Sequence, residues 1–292
     1  MPAHNSDHTK SARAVFADLS ATPGIAKPDA IISASGVKRV FGGLTAVDVD
    51  KLQIQRHSIT ALIGPNGAGK TTLFNLLTCF DQAQEGSWVF NGTEISKKGP
   101  DKVAQLGMVR TFQLTKSLYR LSVLDNMRLA ATQQRGESIF LAPLRALWRK
   151  QEDEVTERAL QLLDRFKLLD KKDDFAAALS GGQRKLLEVA RALMVNPEIV
   201  MLDEPMAGVN PALKQSLLGH IKSLRDDGMT VLFVEHDMDM VRDISDWVVV
   251  MAQGKVVAEG RPNEVMRNQD VIDAYLGSHH DTRLDETDGK KG

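Results

Sequence analysis

The sequence predicts an α/β fold with a mainly parallel core sheet, an antiparallel β subdomain and an inserted helical subdomain. Three observations carry that expectation. A short apolar run, Ile59-Thr-Ala-Leu-Ile63, feeds a glycine-rich loop and then an apolar helical stretch, Leu73-Phe-Asn-Leu-Leu77. Residues 31–55 alternate apolar and polar side chains around Gly42-Gly43, the pattern of an antiparallel hairpin with one buried face. From residue 186 onward, buried-strand runs alternate with helices, which implies a parallel sheet with crossover helices.

The 292 residues are 42% hydrophobic and 26% charged, an ordinary globular composition with length enough for a sizeable core. A net charge of −1 argues against a nucleic-acid binder that works by neutralising phosphates. The single cysteine, Cys79, excludes an internal disulfide and suits a reducing compartment. No run of about 18 apolar residues occurs, so nothing reads as a bilayer-spanning helix. Residues 1–29 are polar, with no apolar stretch of the kind a secretory signal needs. They read as a disordered extension, with weak helix around residues 12–19, and 278–292 reads as a disordered tail.

The hairpin over 31–55 places Phe41 just before its turn, where an aromatic packs against the core or stacks on a purine. The next stretch carries the chemistry: Gly64, Pro65, Asn66, Gly67, Ala68, Gly69, Lys70, Thr71 and Thr72. This is a G-x-x-x-x-G-K-[ST] match, and the strand before it and helix after it are the context that confirms a phosphate-binding loop. Glycines let the backbone curl until successive N–H groups point at one anion. The helix N-terminus adds partial positive charge and Lys70 a full one, while Thr71 offers a hydroxyl to a phosphate-bound Mg²⁺. The chain therefore binds a nucleoside triphosphate. Ser87-Trp-Val-Phe90 and Asn91-Gly92 then read as a further strand and turn.

Between about residues 114 and 182 the pattern turns helical, with apolar spacings of three and four in Val155–Leu169. Arg135–Gln151, basic with Pro143 and Trp148, reads as a loop or short helix inserted there. Strands are expected over 198–202, 229–234, 247–251 and 255–258, and helices over 186–194, 212–226 and 238–244. The strand at 198–202 ends in Asp203-Glu204. Ligands in open α/β sheets gather at the carboxyl ends of strands, so both carboxylates should face the phosphates, one toward Mg²⁺ and the next toward an attacking water. Ser180, Gly181, Gly182 and Gln183 precede a helix that Ser180 can cap, making a second anion site without a lysine. Two phosphate sites and one triphosphate loop fit a two-fold dimer in which each second site closes over the partner's nucleotide.

With these motifs in order and spacing, residues 31–277 resemble the ATPase subunit of an ABC transporter, a P-loop NTPase fold. The resemblance implies roles for Gln113, after the phosphate loop, and His236, after the strand ending Val234-Glu235. Gln113 would sense metal and attacking water, Glu204 would be the general base, and His236 would contact the γ-phosphate. Lys70 and the loop amides would hold ATP, Thr71 and Asp203 would serve Mg²⁺, and Phe41 would stack on adenine. Arg110-Thr-Phe-Gln113, Val123-Leu-Asp-Asn126, Ala207-Gly-Val-Asn-Pro211 and Ala274-Tyr-Leu-Gly277 are similar to the branched-chain amino acid importer subfamily. His57, Leu114 and Tyr119 depart from its usual Gly, Asn and Pro.

The resemblance implies a peripheral subunit on the cytoplasmic face of the cell membrane, as a homodimer or a heterodimer with a paralogous ATPase. It would dock on integral-membrane permease subunits served by a substrate-binding protein, and no nucleic acid is expected. The contact would run over Gln113–Asn126, with Leu118 and Tyr119 facing outward. Import of branched-chain or other amino acids is the expectation; an ATPase for lipid, lipopolysaccharide, urea or amide transport is the alternative. A soluble ABC protein acting on ribosomes or DNA would carry two modules or long coiled-coil insertions, and a GTPase would carry N-K-x-D. Neither pattern is present.

Overall fold

The computed structural model describes residues 14–111, 118–131, 145–269 and 271–272. The predicted hairpin is β1 (Ala30–Phe41) paired with β2 (Leu44–Gln55), Phe41 opposite Leu44 at the turn. Strand β3 (Ile59–Ile63) follows, then helix α1 (Lys70–Leu77). Strands β4 (Glu85–Phe90) and β5 (Thr93–Glu94) rejoin the hairpin, closing an antiparallel sheet in the order β2-β1-β4-β5. Helix α2 (Pro100–Gln105) leads to β6 (Met108–Arg110). A helical region follows: α3 (Val123–Leu129), α4 (Arg145–Arg165) and α5 (Gly181–Ala192). The chain then alternates through β7 (Ile199–Asp203), α6 (Pro211–Asp226), β8 (Thr230–Val234), α7 (Met238–Ile244), β9 (Trp247–Ala252), β10 (Lys255–Gly260) and α8 (Pro262–Val265).

The second sheet runs β10-β9-β3-β8-β7-β6, parallel throughout except for the β9–β10 hairpin at its edge. Strands wholly buried on both faces read as continuous apolar runs, and their period of two then decides which core each residue enters. Ile59, Ala61 and Ile63 of β3 join Val200, Leu202, Val231, Phe233, Val248 and Val250 in the core under the helices. Leu62 with Ile199, Met201, Leu232, Val234, Val249 and Met251 faces the other core, shared with α1 and the antiparallel sheet. The sheet is thus a wall between two apolar layers, and only its carboxyl edge is left for polar chemistry.

Part of Arg135–Gln151, expected as a loop or short helix, extends α4, which begins at Arg145. In α4, Ala159 and Leu163, four apart, share one buried core with Val123 and Met127 of α3 and Leu187 and Ala190 of α5. Residue 57 has φ 56, a left-handed turn where glycine would cost less. His57 offsets that cost by tying the turn to its neighbours: its Nδ1 hydrogen-bonds Gly228 O, and its N–H donates to Thr230 Oγ1 at 3.0 Å. The departure from glycine at this turn is therefore a mild one.

The expectation of a disordered extension through residue 29 fails for residues 14–29. Phe16 is buried and stacks on Trp247, ring centroids 4.9 Å apart. One carboxylate, Glu259, accepts hydrogen bonds from the Ile25 N–H (2.8 Å), Lys27 Nζ (3.0 Å) and Trp247 Nε1 (2.8 Å). Burial pushes the Lys27 ammonium below its ordinary value, and Glu259 opposes that. A polar average hid one aromatic anchor and one buried ion pair; breaking such a pair from one side costs about 3–5 kcal/mol. The rest of the predicted extension and the 278–292 tail lie outside the described residues.

Candidate nucleotide site

The carboxyl ends of β3 and β7 bring the predicted motifs to one edge of the sheet. Beyond Ile63 the loop turns through Gly64 (φ 149), Gly67 (φ 78) and Gly69 (φ 96), and Lys70 opens α1. The Lys70 ammonium is half-buried inside the loop, donating to Gly64 O at 2.8 Å and Pro65 O at 2.9 Å. Burial lowers its pKa from the ordinary lysine value, while the nearby carboxylates of Glu204 and Asp203 pull it back up. A lysine held among carbonyls and carboxylates is poised to exchange those partners for a polyanion.

A cavity of about 370 Å³ opens beside it, lined by Thr71, Arg110, Thr111, Lys185, Glu188, Asp203, Glu204 and Ala207. The hydroxyl of Thr71 and the carboxylate of Asp203 thus share one cleft. That oxygen-only pair suits a hard divalent ion such as Mg²⁺, which keeps several waters and needs few protein ligands. Among the described residues no cluster of three or more His, Cys, Asp or Glu side chains forms a dedicated metal cage.

Asp203 ends β7 opposite Val234 of β8, and the next N–H, that of Glu204, still donates to Val234 O at 3.1 Å. There the backbone breaks: Glu204 has φ 44, the left-handed region that costs a non-glycine residue about 1–3 kcal/mol and that recurs at functional sites. The turn lifts the Glu204 side chain out of the strand into an exposed position at the cleft. His236 lies just past β8, with its side chain 68% exposed, and is not among the cleft-lining residues. Between these sits a group the sequence reading did not assign. Glu235 is buried, and its carboxylate accepts from the Met206 N–H (3.0 Å) and the His236 N–H (3.1 Å). One carboxylate therefore fixes both the segment after Glu204 and the backbone of His236.

Ser180 caps α5 as the sequence suggested. Its hydroxyl accepts from the Gln183 N–H (3.2 Å), and Gln183 Oε1 accepts from the Ser180 N–H (2.9 Å), a complete capping box. Ser180 and Gly181 are exposed, and Gly182 is buried against Leu213. The first turn of α5 does not line the Thr71–Glu204 cavity, although Lys185 and Glu188 of the same helix do. Phe41 is 46% exposed at the tip of β1, with the Arg39 guanidinium 4.4 Å from its ring centroid. Gln113 lies outside the described residues. Leu118 and Tyr119, expected to face outward, are half-buried and pack on the helical core, with Arg184 5.7 Å from the Tyr119 ring. No helix among the described residues is long and apolar enough to cross a membrane.

Comparison with known proteins shows the family. Residues 47–207 match the ABC transporter family, and 255–281 match the branched-chain amino acid ATP-binding cassette transporter family. A probable branched-chain amino acid transport ATP-binding protein, LivG, of Archaeoglobus fulgidus is 41% identical over 85% of this chain and 96% of its own length. The high-affinity branched-chain amino acid transport ATP-binding protein BraF of Pseudomonas aeruginosa is also 41% identical, over 85% and 98%. The ADP conformation of MJ1267, an ATP-binding cassette of an ABC transporter, superposes with a TM-score of 0.75 at 36% identity, covering 85% of this chain and 99% of that one. The chain belongs to the ABC transporter family of ATP-binding subunits, in its branched-chain amino acid transport branch.

Proposed function

We propose that this ATPase subunit hydrolyses MgATP to drive import of branched-chain amino acids through a membrane permease. The observation that carries the catalytic part is the shared cleft of Thr71, Asp203 and Glu204 beside Lys70. Lys70 and the loop amides would hold the phosphates. Thr71 and Asp203 would hold the Mg²⁺, which supplies charge neutralisation to the phosphate oxygens when bound, with Gln113 as a further metal contact. Glu204 would accept the proton of the attacking water, and Gln113 and His236 would face the γ-phosphate. Phe41, with one ring face already covered by Arg39, would offer the other to adenine.

The substrate class rests on the relatives, which are named as branched-chain amino acid transport proteins along nearly their whole length. The test is uptake into vesicles holding this chain with its permease subunits and binding protein. Leucine, isoleucine or valine should enter only with ATP and should raise ATP turnover. Uptake and stimulation by a lipid, urea or amide, with no response to these amino acids, would overturn the assignment.

The exposed position of Ser180 supports a dimer. Ser180 and Gly181 are exposed and do not line the subunit's own cleft, so Ser180, Gly181, Gly182 and Gln183 would close over the partner's ATP, with the pair peripheral on the cytoplasmic face of the membrane. Ser180→Arg should leave ATP binding by the monomer unchanged and prevent ATP-dependent dimerisation in a Glu204→Gln background, read by light scattering. Equal dimer formation with and without the change would count against a shared site.

A further inference from the structure

Arg110 ends β6 on the edge of the parallel sheet, three residues before Gln113. Its side chain is only 7% exposed and runs inward beneath the phosphate loop's helix, its guanidinium carbon 5.6 Å from the Phe74 ring centroid. Two of its nitrogens are committed in different directions. Nη1 donates to Asn75 Oδ1 of α1 at 2.5 Å, and Nη2 donates to Asp203 Oδ2 of β7 at 2.5 Å. Asn75 stands five residues after Lys70 on the same helix. A planar guanidinium therefore joins the helix that carries the phosphate-binding lysine to the carboxylate at the end of the neighbouring strand.

We infer that Arg110 is a positioning residue for the nucleotide site: it fixes the Asp203 carboxylate relative to α1, so that Asp203 Oδ1 and the Thr71 hydroxyl present a preset pair of oxygens to the metal on ATP. This rests on the reading of Asp203 and Thr71 as the metal's oxygen donors. The backbone of Asp203 is held by β8, but its side chain lies 27% exposed at the mouth of a polar cleft. An untethered Asp203 would be free to turn away from the Thr71 hydroxyl, removing one metal ligand. Arg110 prevents that by occupying Oδ2 and leaving Oδ1 open. Only an arginine does this, because its rigid fork reaches two acceptors at once while remaining charged; lysine is a single point charge on a flexible stem.

A guanidinium so close to a metal ligand also has an opposite effect, since its charge repels an incoming cation. Two substitutions separate the effects. Positioning predicts that Arg110→Met and Arg110→Lys both raise the Mg²⁺ concentration needed for tight ATP binding, by at least about tenfold, the scale seen when a ligand's hydrogen-bond partner is lost. Charge repulsion alone predicts that Arg110→Met lowers it and that Arg110→Lys leaves it unchanged. Asn75→Ala removes the far anchor without touching the charge, and should raise the Mg²⁺ requirement in the same direction by a smaller factor.

The measurement is binding of a fluorescent ATP analogue by the full chain, first in EDTA and then through a Mg²⁺ titration, with a melting curve of each nucleotide-free variant. The expected result is unchanged affinity in EDTA and a displaced Mg²⁺ titration for all three variants, with the melting temperature lowered in the two Arg110 variants, which lose a largely buried ion pair. Asp203→Asn is the control for the underlying reading. If it displaces the Mg²⁺ titration and the Arg110 variants do not, the inference is wrong and the metal assignment stands. If Asp203→Asn has no effect, both fall. A lower melting temperature with affinity in EDTA and in Mg²⁺ falling together would make Arg110 a packing residue only.

Discussion

Glu204→Gln should reduce ATP turnover by about 10²–10⁴-fold, the scale of losing a general base, and leave ATP binding intact. Glutamine keeps the length of the side chain and its hydrogen-bonding oxygen but cannot take up a proton. The backbone should not respond. Glutamine at φ 44 bears the same left-handed strain as glutamate, and the Glu204 N–H bond to Val234 O involves no side-chain atom. The change also removes one of the two carboxylates that support the charge on Lys70, and Asp203 remains to do so. Steady-state phosphate release, measured beside equilibrium ATP binding, checks the prediction. Turnover within a few-fold of the wild type would assign activation of the water to another residue.

The strand–loop–helix at 59–77 was legible because each part is local: an apolar run, glycines where positive φ is needed, and a helix start at Lys70. The same holds for Asp203-Glu204, since four apolar residues that must be buried on both faces leave the next two at the sheet's carboxyl edge. The Ser180 cap was legible for the same reason, because its partner is three residues away. What composition concealed is long-range. Phe16 and Lys27 find Trp247 and Glu259 more than 200 residues later, and no window of sequence contains both ends of that contact. Arg110 was visible only as part of a motif string. Its bridge from Asn75 to Asp203 exists because β6 lies beside β7, a neighbour relation set by sheet order and not by sequence distance. Glu235 is similar: a charged residue after a buried strand suggests exposure, and burial becomes tolerable only because two backbone amides, one 29 residues away, converge on it. Leu118 and Tyr119 show the reverse error. Both are expected to face outward beside a contact, and both pack on the helical core.

Gly64→Ala should remove both stability and ATP binding, whereas Gly67→Ala should remove binding alone. The two glycines belong to one loop, have positive φ and are four residues from a strand or fewer, so the motif treats them alike. Their surroundings differ. A Cβ on Gly64 would stand 2.1 Å from Met251 O, a backbone atom of buried β9, and 3.2 Å from the Ala68 Cβ. Neither can rotate away, so the loop must separate from the sheet. Overpacking of this kind costs about 1–3 kcal/mol, and the forbidden φ adds about 1–2 kcal/mol. A cost of about 3 kcal/mol lowers the melting temperature of a chain this size by about 6–12 °C. A Cβ on Gly67 meets nothing within 4 Å, so only the φ of 78 is penalised, and the loop can relieve it by turning its exposed amides outward. Those amides are the proposed phosphate ligands. Each 1.4 kcal/mol of misdirected binding is about tenfold in affinity. Gly67→Ala should therefore melt within a few degrees of the wild type while binding ATP at least about tenfold more weakly. Melting curves of the nucleotide-free variants, paired with ATP titrations, separate the cases. Equal melting temperatures for the two variants would show that the loop is not packed against β9 in the way its geometry requires.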